Sequence, residues 1–211
     1  MKNPRTANLK RIAGTSEGFR LLPADRVFLH DLARLNILSD DLAARNHYAH
    51  LKGGATRSLN RLEAAGLIVG KKLHIPGQVT IRIYQFRNQA VARAWGGALP
   101  VIGAKRNELH ELISSRMYFE LGEPDDFRLA ADFSKSDVSA FGSCRPDALY
   151  TDSATGELVA VEADSGHYSK KQIVDKLSRW QAVGIGRIAW GQPSRAMDRV
   201  PQLENLKLLK F

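Results

Sequence analysis

Between Gly96 and Gly103 the chain reads "GGALPVIG", with Gly96, Gly97, Pro100 and Gly103 crowded together. Glycine spreads over many backbone conformations and proline lacks an amide donor, so neither a helix nor a central strand runs comfortably through such a stretch. A chain of 211 residues broken at 97–104 has room for two small domains, each with its own core. The break also divides the charge. Residues 1–100 hold 16 Lys or Arg against 6 Asp or Glu, whereas the other 111 residues hold 15 against 16, so the net charge of +9 originates entirely in the N-terminal part. That asymmetry points to a polyanionic partner, most often nucleic acid.

A hydrophobic content of 44% with 25% charged residues describes a folded chain rather than a disordered one. Cys144 is the single cysteine, which rules out an intramolecular disulfide. The opening "MKNPRTANLKRIAG" lacks the apolar run of a secretion signal or membrane span, so the expectation is a cytoplasmic protein with no membrane partner.

After a basic leader (1–21), the segment 22–96 divides into helices and a hairpin. "LLPADRVFLHDLARLNIL" places Pro23 where a first helical turn tolerates it and repeats Phe28, Leu32 and Leu35 at helical spacing. "SDDLAARN" offers Ser39 as a cap with two acids in the first turn. "GGATRSLNRLEAAGLI" gives a third helix ended by Gly66, with Ala55, Leu59 and Leu62 on one face and Arg57, Asn60 and Arg61 on the other. "LIVGKKLHI" and "VTIRIYQF" then read as strands joined by a "PGQ" turn. Three helices followed by a hairpin is the winged-helix order, and "RSLNRLEAAGLI" resembles winged-helix regulators over about residues 22–87. That resemblance implies DNA binding, with Arg57, Asn60 and Arg61 entering a major groove and Lys71, Lys72 and Arg82 on the wing near phosphates. In "NHYAH", His47 and His50 have metal-like spacing, but no nearby Cys or His completes a zinc site, so both are expected on a polar surface.

The C-terminal domain (104–211) opens with a helix, "NELHELISSRMYFELGEP", whose His110 and Glu111 are expected on its solvated side. "FRLAADFS", "PDALYTD" and "TGELVAVEAD" read as strands, "SKKQIVDKLSRWQAV" as a helix, and "IGRIAW" and "LKLLKF" as further strands around a mixed sheet. Asp147 begins one strand. Glu162 and Asp164 end its hairpin partner, two residues apart and therefore on one face. Three carboxylates gathered at one end of a sheet repel one another unless a divalent cation neutralises them, and an all-oxygen ligand set suits Mg²⁺ or Mn²⁺.

Pro146-Asp147 followed by a hairpin ending in Glu162-Ala163-Asp164 resembles the PD-(D/E)xK nuclease core, with Asp164 where that core carries lysine. The resemblance implies catalytic roles for Asp147, Glu162 and Asp164, with the missing cation supplied by Lys176, or by Lys170 or Lys171 nearer the turn. Together with the upstream winged helix, "H.L", "RPDALY", "VEAD.G" and "K..RW" from His110 to Trp180 resemble the replication-relaxation family, which includes MobC-type plasmid relaxases. This implies an α+β protein, a winged helix followed by a PD-(D/E)xK nuclease-like mixed sheet with flanking helices, that nicks one DNA strand at a transfer origin alongside accessory mobilisation proteins. The rival expectation is a non-catalytic DNA-binding replication or transcription regulator whose nuclease fold is degenerate. Tyr168, near the acids, is expected to pack or stack on DNA rather than to attack it.

Overall fold

A computed structural model of the protein describes residues 19–75, 80–97, 108–194 and 199–211. Residues 1–18 of the basic leader, the "PGQ" turn and most of the glycine- and proline-rich break lie outside these residues. The chain divides into two compact units, Met1–Glu108 and Leu109–Phe211, each combining helices with one sheet. The fold class is α+β. No helix among the described residues is long and apolar enough to cross a membrane.

In the first unit, helix α1 (Pro23–Leu35) starts on Pro23 and on Asp25, whose carboxylate accepts the Leu22 amide at 2.6 Å. Asn36, at φ 67°, turns the chain out of α1 into the short strand β1 (Leu38–Ser39). Helices α2 (Asp40–Asn46) and α3 (Gly54–Ala64) follow. Ser39 precedes α2 as expected, but its hydroxyl donates to Asp41 and caps no amide. Gly66, at φ 70°, closes α3: its amide donates to Glu63 O and that of Leu67 to Leu62 O, which aims the chain into β2 (Ile68–His74). Strand β3 (Thr80–Phe86) returns antiparallel to β2, from Ile68 opposite Phe86 to His74 opposite Thr80, and helix α4 (Gln89–Ala94) closes the unit. The sheet order β1-β3-β2 places the buried Ile83 and Phe86 with Phe28, Leu32, Leu59 and Leu62 in the core.

The second unit begins in α5 (Glu108–Glu120) and continues through β4 (Arg128–Leu129), α6 (Lys135–Phe141), β5 (Ala148–Thr151), β6 (Leu158–Ala163), α7 (Lys170–Ala182), β7 (Arg187–Gln192) and β8 (Leu206–Lys210). Its sheet runs β4-β5-β6-β7-β8, antiparallel from β4 to β6 and parallel from β6 to β8. Side-chain alternation assigns the faces. Leu149, Ala160, Ile188 and Trp190 face Ile173, Leu177 and Trp180 of α7. Gly191 points the other way, toward Met117 and Ile113 of α5, where any side chain would collide with both. Ser169 caps α7 by accepting Gln172 N while Gln172 Oε1 accepts Ser169 N, and Gly184, at φ 82°, follows the helix.

Two expectations change. "FRLAADFS" keeps only Arg128–Leu129 as strand, because the chain winds into a 3-10 turn over Ala130–Asp132 and the Ser134–Asp137 capping box then starts α6. Asp164 lies one residue beyond β6 and Asp147 one residue before β5, although the Asp147 amide still donates to Val161 O at 2.9 Å.

Candidate active site and nucleic-acid interface

Strand register brings Asp147 and Glu162 together. The ladder ends with Ala148 opposite Val161; just beyond it the Asp147 amide donates to Val161 O at 2.9 Å, which sets Asp147 beside Glu162 at this end of the hairpin, Glu162 lying on the face covered by α7. Glu162 is fully buried, and its Oε1 receives the ammonium of Lys176, which α7 holds one and a half turns in from its start. The Lys176 Nζ also donates to the Tyr168 hydroxyl at 3.1 Å and lies 4.7 Å from the Tyr168 ring centroid and 5.5 Å from that of Trp180. Oε2 of Glu162 is buried and accepts no hydrogen bond. Among the lysines offered by the sequence, Lys176 is the one at the acids; Lys170 and Lys171 stand exposed at the start of α7.

Asp147 is tied down on both oxygens: Oδ2 accepts the Ala163 amide at 2.8 Å, and Oδ1 meets His110 Nε2 of α5 at 2.8 Å. His110 thus departs from its expected solvated role. In α5 the run Leu112, Ile113, Ser114 and Ser115 is buried throughout, so helical periodicity does not single out one solvated face. Asp164 is engaged with backbone, its Oδ1 accepting Gly166 N at 2.7 Å and its amide donating to Gly191 O at 2.8 Å. The three acids share one end of the sheet. Among the described residues, however, no group of three or more His, Cys, Asp or Glu is placed to hold a metal ion. Two carboxylates, one with a bare buried oxygen, nevertheless match Mg²⁺ chemistry, in which one or two carboxylates are commonly completed by water and substrate phosphate.

Burial is the largest influence on Glu162 and, with the negative Asp147 beside it, pushes the carboxyl up to about 8 against the opposing pull of Lys176. Tyr168 is driven well above the ordinary phenol range, first by burial and then by Glu162, so its hydroxyl stays protonated. Tyr168 packs edge-on against Trp190 at 6.1 Å, as befits a packing residue. Burial pulls His110 down, but the hydrogen bond and charge of Asp147, with Glu162 and Glu111, outweigh it and raise the imidazole overall.

On the first unit, the six residues assigned to DNA separate into free and engaged. Arg57, Asn60 and Lys72 are exposed, with no partner among the described residues. Arg61 instead turns inward: its guanidinium binds the fully buried Asp25, donates to Arg20 O at 2.7 Å and lies over the Phe19 ring. Arg82 pairs with Glu63 at 2.7 Å and lies over Tyr84, and Lys71 pairs with Glu108. His47 is also a correction, because it is buried between Phe28 and Tyr48 with Nε2 2.8 Å from Asp31 and does not sit on a polar surface. Comparison of the chain with protein-family models, with curated proteins and with solved structures gave no match in any of the three.

Proposed function

We propose that this chain is a DNA-processing protein of a plasmid or mobile element, in which the first unit binds duplex as a winged helix and the second nicks one strand. The reading rests above all on Glu162, a buried acid with one oxygen on Lys176, the other bare, and the negative Asp147 beside it at the same end of the hairpin. Burying such a group is costly unless something completes it, and charged groups kept in this condition concentrate at functional sites.

In this reading Asp147 and Glu162 hold Mg²⁺ or Mn²⁺, which would supply Lewis acidity at the scissile phosphate. Ala163 N and His110 fix the Asp147 carboxylate, so it meets a ligand without reorganising. Lys176 lies within reach of the same end of the sheet and offsets negative charge that develops on the phosphate. The protonated Tyr168 makes water the better nucleophile. Arg57, Asn60 and Lys72 carry the nucleic-acid contact on the first unit, with Arg61, Lys71 and Arg82 contributing only after exchanging their present partners.

A second reading, a binding protein with a degenerate nuclease site, draws on Asp164, which replaces the usual lysine and is occupied with Gly166 N. Incubating the protein with supercoiled plasmid carrying the candidate transfer origin separates the two. Relaxed circles formed with Mg²⁺ or Mn²⁺, but not with EDTA, are expected of the enzyme; their absence at all metal concentrations overturns it.

A further inference from the structure

Two cavities of about 470 Å³ each open in the second unit at the end of the sheet where β5 finishes and β6 and β7 start, away from Asp147 and Glu162. This size falls in the range of about 300–1,000 Å³ that holds small ligands. The first cavity is lined by Glu123, Asp125, Asp126 and Asp152 and, among the described residues, by no basic side chain. The second shares Leu121, Tyr150 and Asp152 with it and continues to Glu204, Arg187 and Lys207, where acids and bases balance. In a chain of net charge +9, the first cavity is a concentrated patch of the opposite sign.

Its walls are held by backbone. α5 ends with the Glu123 amide donating to Tyr118 O at 3.0 Å, and the Phe127 amide reaches back to Pro124 O at 3.2 Å, so the segment between them curls into a turn. Asp126 accepts the Thr151 amide on Oδ1 at 3.1 Å and on Oδ2 at 3.0 Å, pinning that turn to the end of β5. Asp152 is committed to Arg187. Acids on an exposed turn are satisfied by water, so the four carboxylates alone identify nothing.

Tyr150 supplies an independent observation. It alternates with Leu149 and so leaves the sheet on the face away from α7. Tyr150 is only 9% exposed, its ring stacks on Phe127 at 6.3 Å, and it lines both cavities, yet its hydroxyl has no hydrogen-bond partner among the described residues. Burial raises the phenol above its ordinary value of 10.0; Asp152 adds to the rise, Arg187 opposes it and Asp126 adds to it. The hydroxyl therefore stands among the charges of the cavities and stays protonated. Buried hydroxyls left without a partner are uncommon, and this one borders a space with room for a ligand.

We infer that the first cavity binds an organic cation, a guanidinium or primary ammonium on an aliphatic stem. Glu123, Asp125 and Asp126 answer its charge, the Tyr150 hydroxyl accepts one N–H, and Leu121 and Pro124 lie along the stem. A metal ion fits less well, because among the described residues no three such groups are placed to hold one. A free polyamine and the arginine side chain of a partner protein share this chemistry. The inference goes beyond the DNA-processing reading and depends on none of it.

The test is a two-dimensional NMR titration of the isotope-labelled full chain, at fixed ionic strength, with putrescine and separately with a blocked Arg-Arg dipeptide of the same charge. At least one probe should shift the Thr151 and Ser153 amides saturably. Tighter binding of putrescine assigns a free polyamine, and tighter binding of the dipeptide assigns an arginine presented by a partner. Tyr150→Phe should weaken binding about three- to tenfold, the worth of one hydrogen bond, while its melting temperature stays at the wild-type value because the hydroxyl holds nothing in the fold. Glu123→Gln, at an exposed acid, should weaken binding as well, and Asp175→Asn, at an exposed acid of α7, should leave it unchanged. Shifts that grow linearly with both probes, an affinity unaltered in Tyr150→Phe and Glu123→Gln, or an equal loss in Asp175→Asn would overturn the proposal. So would a lowered melting temperature of Tyr150→Phe, which makes the hydroxyl part of the fold.

Discussion

Among the described residues each unit buries one acid completely, and the two are treated in opposite ways. Asp25 of the first unit is surrounded by donors: the Leu22 amide at 2.6 Å, the Tyr48 hydroxyl at 3.3 Å and the Arg61 guanidinium. Glu162 of the second unit has Lys176 on Oε1, no hydrogen bond on Oε2, and the negative Asp147 beside it. A carboxylate with donors on both oxygens locks α1 to α3, and the cost of burying it is offset within the fold. A carboxylate left half-answered beside a like charge leaves room for a cation or a proton. Burial alone therefore does not distinguish the two acids; the unsatisfied oxygen does.

The largest effect expected from this contrast is on chemistry. Glu162→Gln should lower nicking of supercoiled plasmid by about a hundredfold or more, the scale of losing one preorganised electrostatic group, while duplex affinity stays near wild type. Nicking that survives the substitution would mean Glu162 is another structural acid. Asp25→Asn should do the reverse, costing roughly 2–4 kcal/mol in denaturant unfolding of the first unit because Arg61 loses its counter-charge, and leaving the metal response of the second unit intact.

A pH titration of stability sharpens the comparison further. Glu162 binds its proton more tightly in the folded chain than in the unfolded one, so its contribution is fully present below the ordinary value of 4.5 and is lost as pH rises through about 8. His110, raised above its usual 6.5, acts with the same sign. Apo stability should therefore decline from pH 5 to 8, and Glu162→Gln should flatten that decline; an unaltered profile in the variant would detach the slope from this carboxyl. The smallest effect belongs to the surface. Arg57→Ala should shrink the salt slope of DNA binding by about 0.9 without changing stability, and no change would remove Arg57 from the interface.

Much of this was legible in the chain because it depends on local rules. Periodicity located α1, α3 and α7, turn residues located both hairpins, and the hairpin brought Asp147, Glu162 and Asp164 to one end of the sheet. What escaped depends on distant partners. Arg61 has the sequence position of an exposed helix residue, but Asp25 lies 36 residues earlier and captures it. His110 reaches Asp147 across 37 positions, and the only hint was a helix whose polar and apolar residues are mixed around its circumference instead of divided into two faces. His47 likewise finds Asp31 inside the core. The start of α6, by contrast, was available in "SKSD", since Ser134 and Asp137 have capping-box spacing.

The central claim, that Glu162 is kept incomplete for a ligand, is tested most directly by melting wild type and Glu162→Gln with and without Mn²⁺ at pH 7.5. Glutamine resembles the protonated acid, so the variant without metal should melt close to wild type. Mn²⁺ should raise the wild-type melting temperature, more strongly as pH approaches 8 and the carboxyl surrenders its proton, and should leave the variant unmoved. A wild type indifferent to Mn²⁺, with a variant as destabilised as Asp25→Asn, would contradict the account and make Glu162 a buried structural acid of the same kind as Asp25.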